Sequence, residues 1–177
     1  MVLAYHGTTE KVADGIIAHK HGFSESRNDY DWLGPGVYFW ENAYSRAYDW
    51  AGYVCGAGKD KPAVIGALIS LHGCLDLNDV FSHGRLKIAH QFYMAKTEPD
   101  KRKKNSGRHH RLDCAVIETL HDIEKASTPP VSYKSVRASF IEGDPTYPES
   151  SFSDKTHVQI CVRDLSAVIC YFKPFPQ

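Results

Sequence analysis

Tyr5-His6-Gly7-Thr8, almost at the front of the chain, sets a residue that can donate and accept hydrogen bonds beside one with no side chain. A neutral imidazole carries one donor and one acceptor. A glycine lets its backbone N–H and C=O come close to a flat ligand. A second stretch, Gly34-Pro35-Gly36-Val37-Tyr38-Phe39, is a turn that delivers a tyrosine ring to the start of a strand. Ser45 and Tyr48 follow on a predicted helix, three apart and so on one face. A third stretch, Thr156-His157-Val158-Gln159-Ile160, puts Gln159 at or near the beginning of a late strand. Hydrogen-bonding groups, aromatic rings and a close-approach backbone together suit a planar polar ligand. Each piece alone also has an ordinary reading: a satisfied structural histidine, a simple turn, core aromatics, a glutamine on a solvent face.

The elements that must position these residues are legible in outline. Residues 2–5 read as a strand, and Thr8 or Thr9 can cap a helix whose Val12, Ala13, Ile16 and Ile17 form one apolar face, stopped by Gly22. Residues 33–40 run from a turn into a short strand, and 41–54 read as a helix. Residues 61–77 read as a central strand with an extension, 81–94 as a possible helix, and 111–125 as a strong one. The last third is β, at 132–143, 156–164 and 167–174, with a proline-rich loop at 144–155. Few strands alternate with helices, so the fold class expected is α+β: one domain over 1–177, two packed sheets, antiparallel or mixed, with surrounding helices.

Composition narrows the setting. The 177 residues suit a single domain with a sizeable core, and 42% apolar with 24% charged is ordinary for a soluble protein. No apolar run is long enough to span a bilayer, and MVLAYHG lacks the features of a secretory signal. Five cysteines without a CxxC pair indicate reduced thiols in a cytoplasmic protein, with neither a zinc site nor a disulfide framework. Net charge is zero, yet residues 101–111 (KRKKNSGRHHR) hold six Lys/Arg and two His without an acid. That run is either a solvated loop or a phosphate-contacting one.

Taken together and in this order, the motifs resemble the ADP-ribosyltransferase superfamily, in its diphtheria-toxin-like, PARP-like branch. That branch carries a His-Tyr-Glu triad on three separated strands. The first motif is matched by Tyr5-His6-Gly7-Thr8, the second by Gly34-Pro35-Gly36-Val37-Tyr38-Phe39, and the Ser-x-x-Tyr that follows by Ser45-Arg46-Ala47-Tyr48, one residue closer than usual. The departure is the third position. The family's Glu falls near Gln159, which is neutral at all working pH values and cannot act as a general base. Glu142 and Glu149, in and beside the preceding loop, are the alternatives.

The resemblance implies NAD as substrate, with no metal, and cleavage of the nicotinamide–ribose bond. It implies His6, Tyr38 and Gln159 as catalytic residues. His6 at the adenosine ribose, Gly7, Thr8 and Ser45, with Tyr38 and Tyr48 around the ring, would bind the dinucleotide. His21, Arg27 and Arg46 are possible neighbours of the pyrophosphate. The loop 144–155 corresponds to the family's target loop, so Tyr147 and Phe152 are expected at the acceptor, joined by Lys103, Arg108 and Arg137 if the acceptor is nucleic acid. The function expected is a mono-ADP-ribosyltransferase of toxin or defence type, for which an antitoxin partner is plausible. The alternatives are a protein-modifying transferase, an NAD glycohydrolase, an RNA 2′-phosphotransferase-like enzyme, and an inactive module of the same fold that only binds.

Overall fold

An apolar run closed by two threonines makes the first strand, β1 (Val2–Thr9), and its last residue turns the chain into α1 (Glu10–Ile17). Thr9 is the cap: its Oγ1 accepts from the Val12 N–H at 3.3 Å, which satisfies one of the helix's orphan donors. The computed structural model describes residues 1–175 apart from Lys59 and Arg108. After α1 come β2 (Val37–Glu41), α2 (Tyr44–Cys55), β3 (Pro62–Ile69), β4 (Cys74–Asp76) and α3 (Val80–Lys96). A hairpin of β5 (Asn105–Ser106) and β6 (His109–His110) precedes α4 (Arg111–Lys125), and β7 (Ser135–Phe140), β8 (His157–Val162) and β9 (Val168–Phe172) complete the chain.

The class is α+β, as expected, but the two packed sheets are not found among the described residues. Seven strands join in one mixed sheet of order β4-β7-β8-β2-β1-β3-β9, with the small hairpin apart from it. Among the described residues only β4 and β7 run parallel. Helices and loops, rather than a second sheet, cover the two faces. On one face Tyr5, Trp40 and Val64 meet Ala47 of α2, while Val136, Ala138 and Cys161 meet Ala89 of α3 and Val116, Ile117 and Leu120 of α4. On the other face Ile65 meets Ala13 and Ile16 of α1, and Ala4, Phe39 and Ile160 pack beneath Phe23, Val168 and Tyr171.

The central strand with an extension expected over 61–77 is two separate strands, β4 at one edge of the sheet and β3 next to the other edge. Gly73, at φ 71°, takes the left-handed conformation that glycine adopts without steric cost, and the chain leaves β3 to begin β4 beside β7. The helix expected over 111–125 is found at those bounds. Residues 101–111, expected as a loop, contain the hairpin instead.

Arg137 of β7 is anchored at the sheet, contrary to a role at a nucleic-acid face. Its Nε and Nη2 donate to Glu41 at 2.6 and 2.9 Å and its Nη1 donates to Asp76 at 2.8 Å, so it ties β7 to β2 and β4 across the intervening β8. Both Arg137 and Glu41 keep under a fifth of their side-chain surface exposed. Removing one partner strands a poorly hydrated charge, which costs roughly 3–5 kcal/mol when burial is complete. With this residual exposure, Arg137→Ala should destabilise the protein by about 2 kcal/mol. Urea unfolding checks this, and an unchanged midpoint would remove the network from the account of stability.

Candidate active site

Three of the expected residues lie at the centre of the sheet, with the His6 ring on the Phe39 side and the Tyr38 and Gln159 side chains on the opposite face. His6 lies on β1, Tyr38 on β2 and Gln159 on β8, three neighbouring strands. The β1–β2 ladder consists of two residue pairs, Ala4↔Glu41 and Tyr5↔Trp40. Beyond it β1 continues paired with β3 through Thr9, and β2 continues paired with β8 back to Val37. The two strands therefore part at His6 and Gly7, leaving the backbone of β1 on that side without a strand partner. Backbone donors and acceptors along such an opening can take a ligand's amide in place of the missing strand.

His6 bridges the opening. Its Nδ1 lies 2.9 Å from the Tyr38 carbonyl oxygen and so donates to it, and its ring packs against Phe23 and Phe39 with centroids 5.5 Å apart in each case. Burial holds its pKa below the usual histidine value, so the imidazole is neutral at pH 7. Gly7 has a packing requirement of its own, because a Cβ there would lie 1.9 Å from the Ala47 carbonyl oxygen of α2. Thr8 is buried beside it.

Tyr38 is placed differently from the expectation that it would line a ring pocket with Tyr48. Its hydroxyl donates to the Gly34 carbonyl at 2.7 Å and accepts from the Leu33 N–H at 3.1 Å, which turns the ring into the core beside α4. Burial raises its pKa, so the phenol stays protonated. Tyr48 stands on the outer flank of α2, stacked on Tyr44 at 6.2 Å, and Ser45 is exposed. No ring contact joins Tyr38 and Tyr48 among the described residues. The closed Leu33–Gly34 turn gives the reason, since it fixes where the Tyr38 hydroxyl must point.

Gln159 is half-buried and lies directly opposite Trp40 on one side and Ala138 on the other. Three buried polar atoms without a hydrogen-bond partner gather in this region: Trp40 Nε1, Arg46 Nε and His157 Nε2. His157 is two residues before Gln159 on the same strand face. Its Nδ1 donates to the Lys155 carbonyl at 2.7 Å, which leaves the lone pair on Nε2, and its ring stacks on Phe140 at 5.8 Å. Burial first, and the charge of Arg46 next to it, lower the His157 pKa. Arg46 in turn pairs with Glu142 at 2.7 Å and Asp49 at 3.6 Å. Two donors and one acceptor thus stand unused where burial makes an unmet hydrogen bond costly.

Of the two alternative carboxylates, Glu142 belongs to this cluster through Arg46, whereas Glu149 sits exposed in the loop at φ 67°. The motifs place Arg46 near a pyrophosphate and Trp40 among the core aromatics, whereas the fold brings both, with His157, into the neighbourhood of Gln159. The alternation His157-x-Gln159 was the available signal, since strand residues two apart share a face. His21 and Arg27 are exposed, the latter paired with Glu25.

The proposed acceptor residues divide. Tyr147 and Phe152 are exposed on the loop 144–155. Lys103 is engaged by Asp29 at 2.9 Å, and Arg111 by the same carboxylate at 3.2 Å. Arg102 donates to the Thr97 and Met94 carbonyls at the end of α3. Much of the basic run is therefore spent on holding its own hairpin. Arg108 lies outside the described residues.

Comparison of the chain with family models, curated proteins and solved structures gives no match in any of the three. Among the described residues, no helix is long and apolar enough to cross a membrane.

Three histidines, His157 buried and His6 and His121 half-buried, give the stability a definite pH dependence. Burial lowers the pKa of His6, His121 and His157 from 6.5. As the pH falls through 6.5, the unfolded chain protonates these rings before the folded one does. Their contribution is therefore complete above that pH and is lost below it. Urea midpoints at about pH 7.5 and about pH 5.5 should show lower stability in acid, with a smaller difference in His6→Gln. Equal midpoints for the parent protein would contradict the assignment of neutral rings.

Proposed function

We propose that the chain is a single-domain, NAD-dependent mono-ADP-ribosyltransferase that modifies a macromolecule, with nucleic acid favoured as acceptor. The observation that carries this reading is the opening of the β1–β2 ladder at the position of the Tyr-His-Gly-Thr motif, with His6, Tyr38 and Gln159 on three neighbouring strands beside it. The resemblance itself rests on two short motifs and the Ser-x-x-Tyr that follows them.

In this reading the free backbone of Gly7 holds the nicotinamide carboxamide, and His6 fixes the geometry of the opening through the Tyr38 carbonyl. Gln159, with the unpartnered Trp40 Nε1 and Arg46 Nε, supplies hydrogen bonds to ribose and phosphate oxygens. The C1′–N bond breaks with its electron pair moving to the nicotinamide nitrogen, so a neutral ring leaves an oxocarbenium-like sugar. The acceptor's nucleophile then bonds to C1′ and sheds its proton to solvent water. Because the leaving group departs neutral, positioning supplies much of the acceleration. A glutamine suffices to hold the ribose but not to take the proton. A toxin or defence role and an antitoxin partner follow from the resemblance alone, and cytoplasmic placement follows from the cysteine pattern.

Gln159 also favours a second reading, an inactive module that keeps the fold and only binds. Labelled NAD, incubated with the protein alone and with RNA, DNA or whole-cell lysate, separates the two. Transfer to one acceptor class is expected, reduced roughly 10²-fold in Gln159→Ala and in Trp40→Phe, which keeps an aromatic ring but removes its N–H. Nicotinamide release without transfer would identify a glycohydrolase. Neither release nor transfer under any condition would leave the binding module standing.

A further inference from the structure

A cavity of about 520 Å³ lies between α3, α4 and the sheet, outside the cluster described above. Its volume suits a ligand the size of one nucleotide. Buried Val116, Ile117 and Ala138 form its floor, and half-buried Trp32 and Phe140 form an aromatic wall with ring centroids 4.3 Å apart. Ala138 is the direct cross-strand partner of Gln159, and Phe140 stacks on His157, so the cavity adjoins the candidate site. Its rim carries His83, Lys87 and His90, all exposed on α3, facing Asp113 of α4.

Charge is sharply divided along the chain that contributes α3 and the hairpin. Residues 80–111 hold nine Lys/Arg against two acids, leaving twelve against nineteen in the remainder of the chain. Helix α3 itself has three Lys/Arg and no acid. Several cations of the neighbouring hairpin are internally paired, but Lys87 makes no ion pair among the described residues. An apolar, ring-lined cavity bordered by Lys87 and two imidazoles suits a flat heteroaromatic ring that carries an anion.

We propose that this cavity receives an unpaired base of a single-stranded nucleic acid, stacked against Trp32 and Phe140, with the adjoining phosphate at Lys87, His83 and His90. Base–aromatic stacking and a basic border are the two contributions single-strand binding requires. A base held in a duplex cannot enter, because its faces are already stacked. The pocket would set an accepting nucleotide beside Gln159. That last step rests on the transferase reading, whereas the binding does not.

The test is anisotropy of end-labelled single-stranded RNA and DNA 12-mers titrated with the full chain in the absence of NAD. Matched duplexes and an uncharged apolar dye serve as competitors. Single strands should bind and duplexes should bind more weakly. Trp32→Ala should weaken binding roughly 5- to 150-fold, and Lys87→Glu should weaken it while flattening the dependence on salt. Because Trp32 also packs against His110 at 3.8 Å, each variant's thermal midpoint is measured alongside. The exposed Lys87→Glu variant keeps the test valid if Trp32→Ala does not fold. Single-strand binding that survives both folded variants, binding indifferent to strandedness, or a dye that enters the cavity and is not displaced by oligonucleotide would overturn the proposal. Single-strand binding sensitive to Lys87→Glu with no NAD turnover would sustain the pocket while removing the transferase reading.

Discussion

The early end of the β1–β2 ladder is the constraint on which the centre of this molecule depends. Two strands in the middle of a sheet normally pair along their length, since each unpaired backbone group out of water is costly. Here pairing stops after Tyr5↔Trp40, and each strand is held from its outer side, β1 by β3 and β2 by β8. The His6 imidazole meets the Tyr38 carbonyl in place of a strand partner. A neutral ring is needed there, because a buried imidazolium would be poorly solvated among Phe23 and Phe39. One histidine thus sets the separation of two strands and the electrostatics of the gap between them.

Packing on the sheet's helical face follows from that separation. Helix α2 comes so close over Gly7 that a side chain there would overlap the Ala47 carbonyl. The same helix carries Arg46 to Glu142, joining it to the loop that follows β7. On the far side of β8, α3 and α4 are set over Ala138 and Cys161 but do not fill the space above Phe140 and Trp32. Burial there pushes the Cys161 thiol up to about 12, so it packs as an apolar group. Unmet polar atoms and unfilled volume therefore both adjoin Gln159, one on each side.

Charge serves two ends in this fold. Arg137, Glu41 and Asp76 bind strands together at partly buried positions, where a charge pair has structural consequence. Lys103, Arg111 and Asp29 instead tie the β5–β6 hairpin to the loop before β2 at exposed positions, where each pair contributes little alone. A run of like charge in sequence is consequently a poor guide to a run of free charge in space.

Local rules already determined much of this protein from its sequence. The Thr9 cap, the apolar face of α1, the 111–125 helix and the glycine turn before Val37 depend on residues near one another in the chain, and each is found. The identities of His6, Tyr38 and Gln159 as candidates were likewise readable from short motifs. Which way their side chains point was not. Tyr38 turns inward because of a hydroxyl bonded to Leu33 and Gly34, and Tyr48 turns outward because Ala47 and Ala51 occupy α2's inner face. Strand order, the single sheet, the company of Trp40 and His157 around Gln159, and the cavity over Ala138 all join residues far apart in sequence. Such contacts depend on how whole elements pack, and a pattern read along one segment carries no information about the surface it will meet.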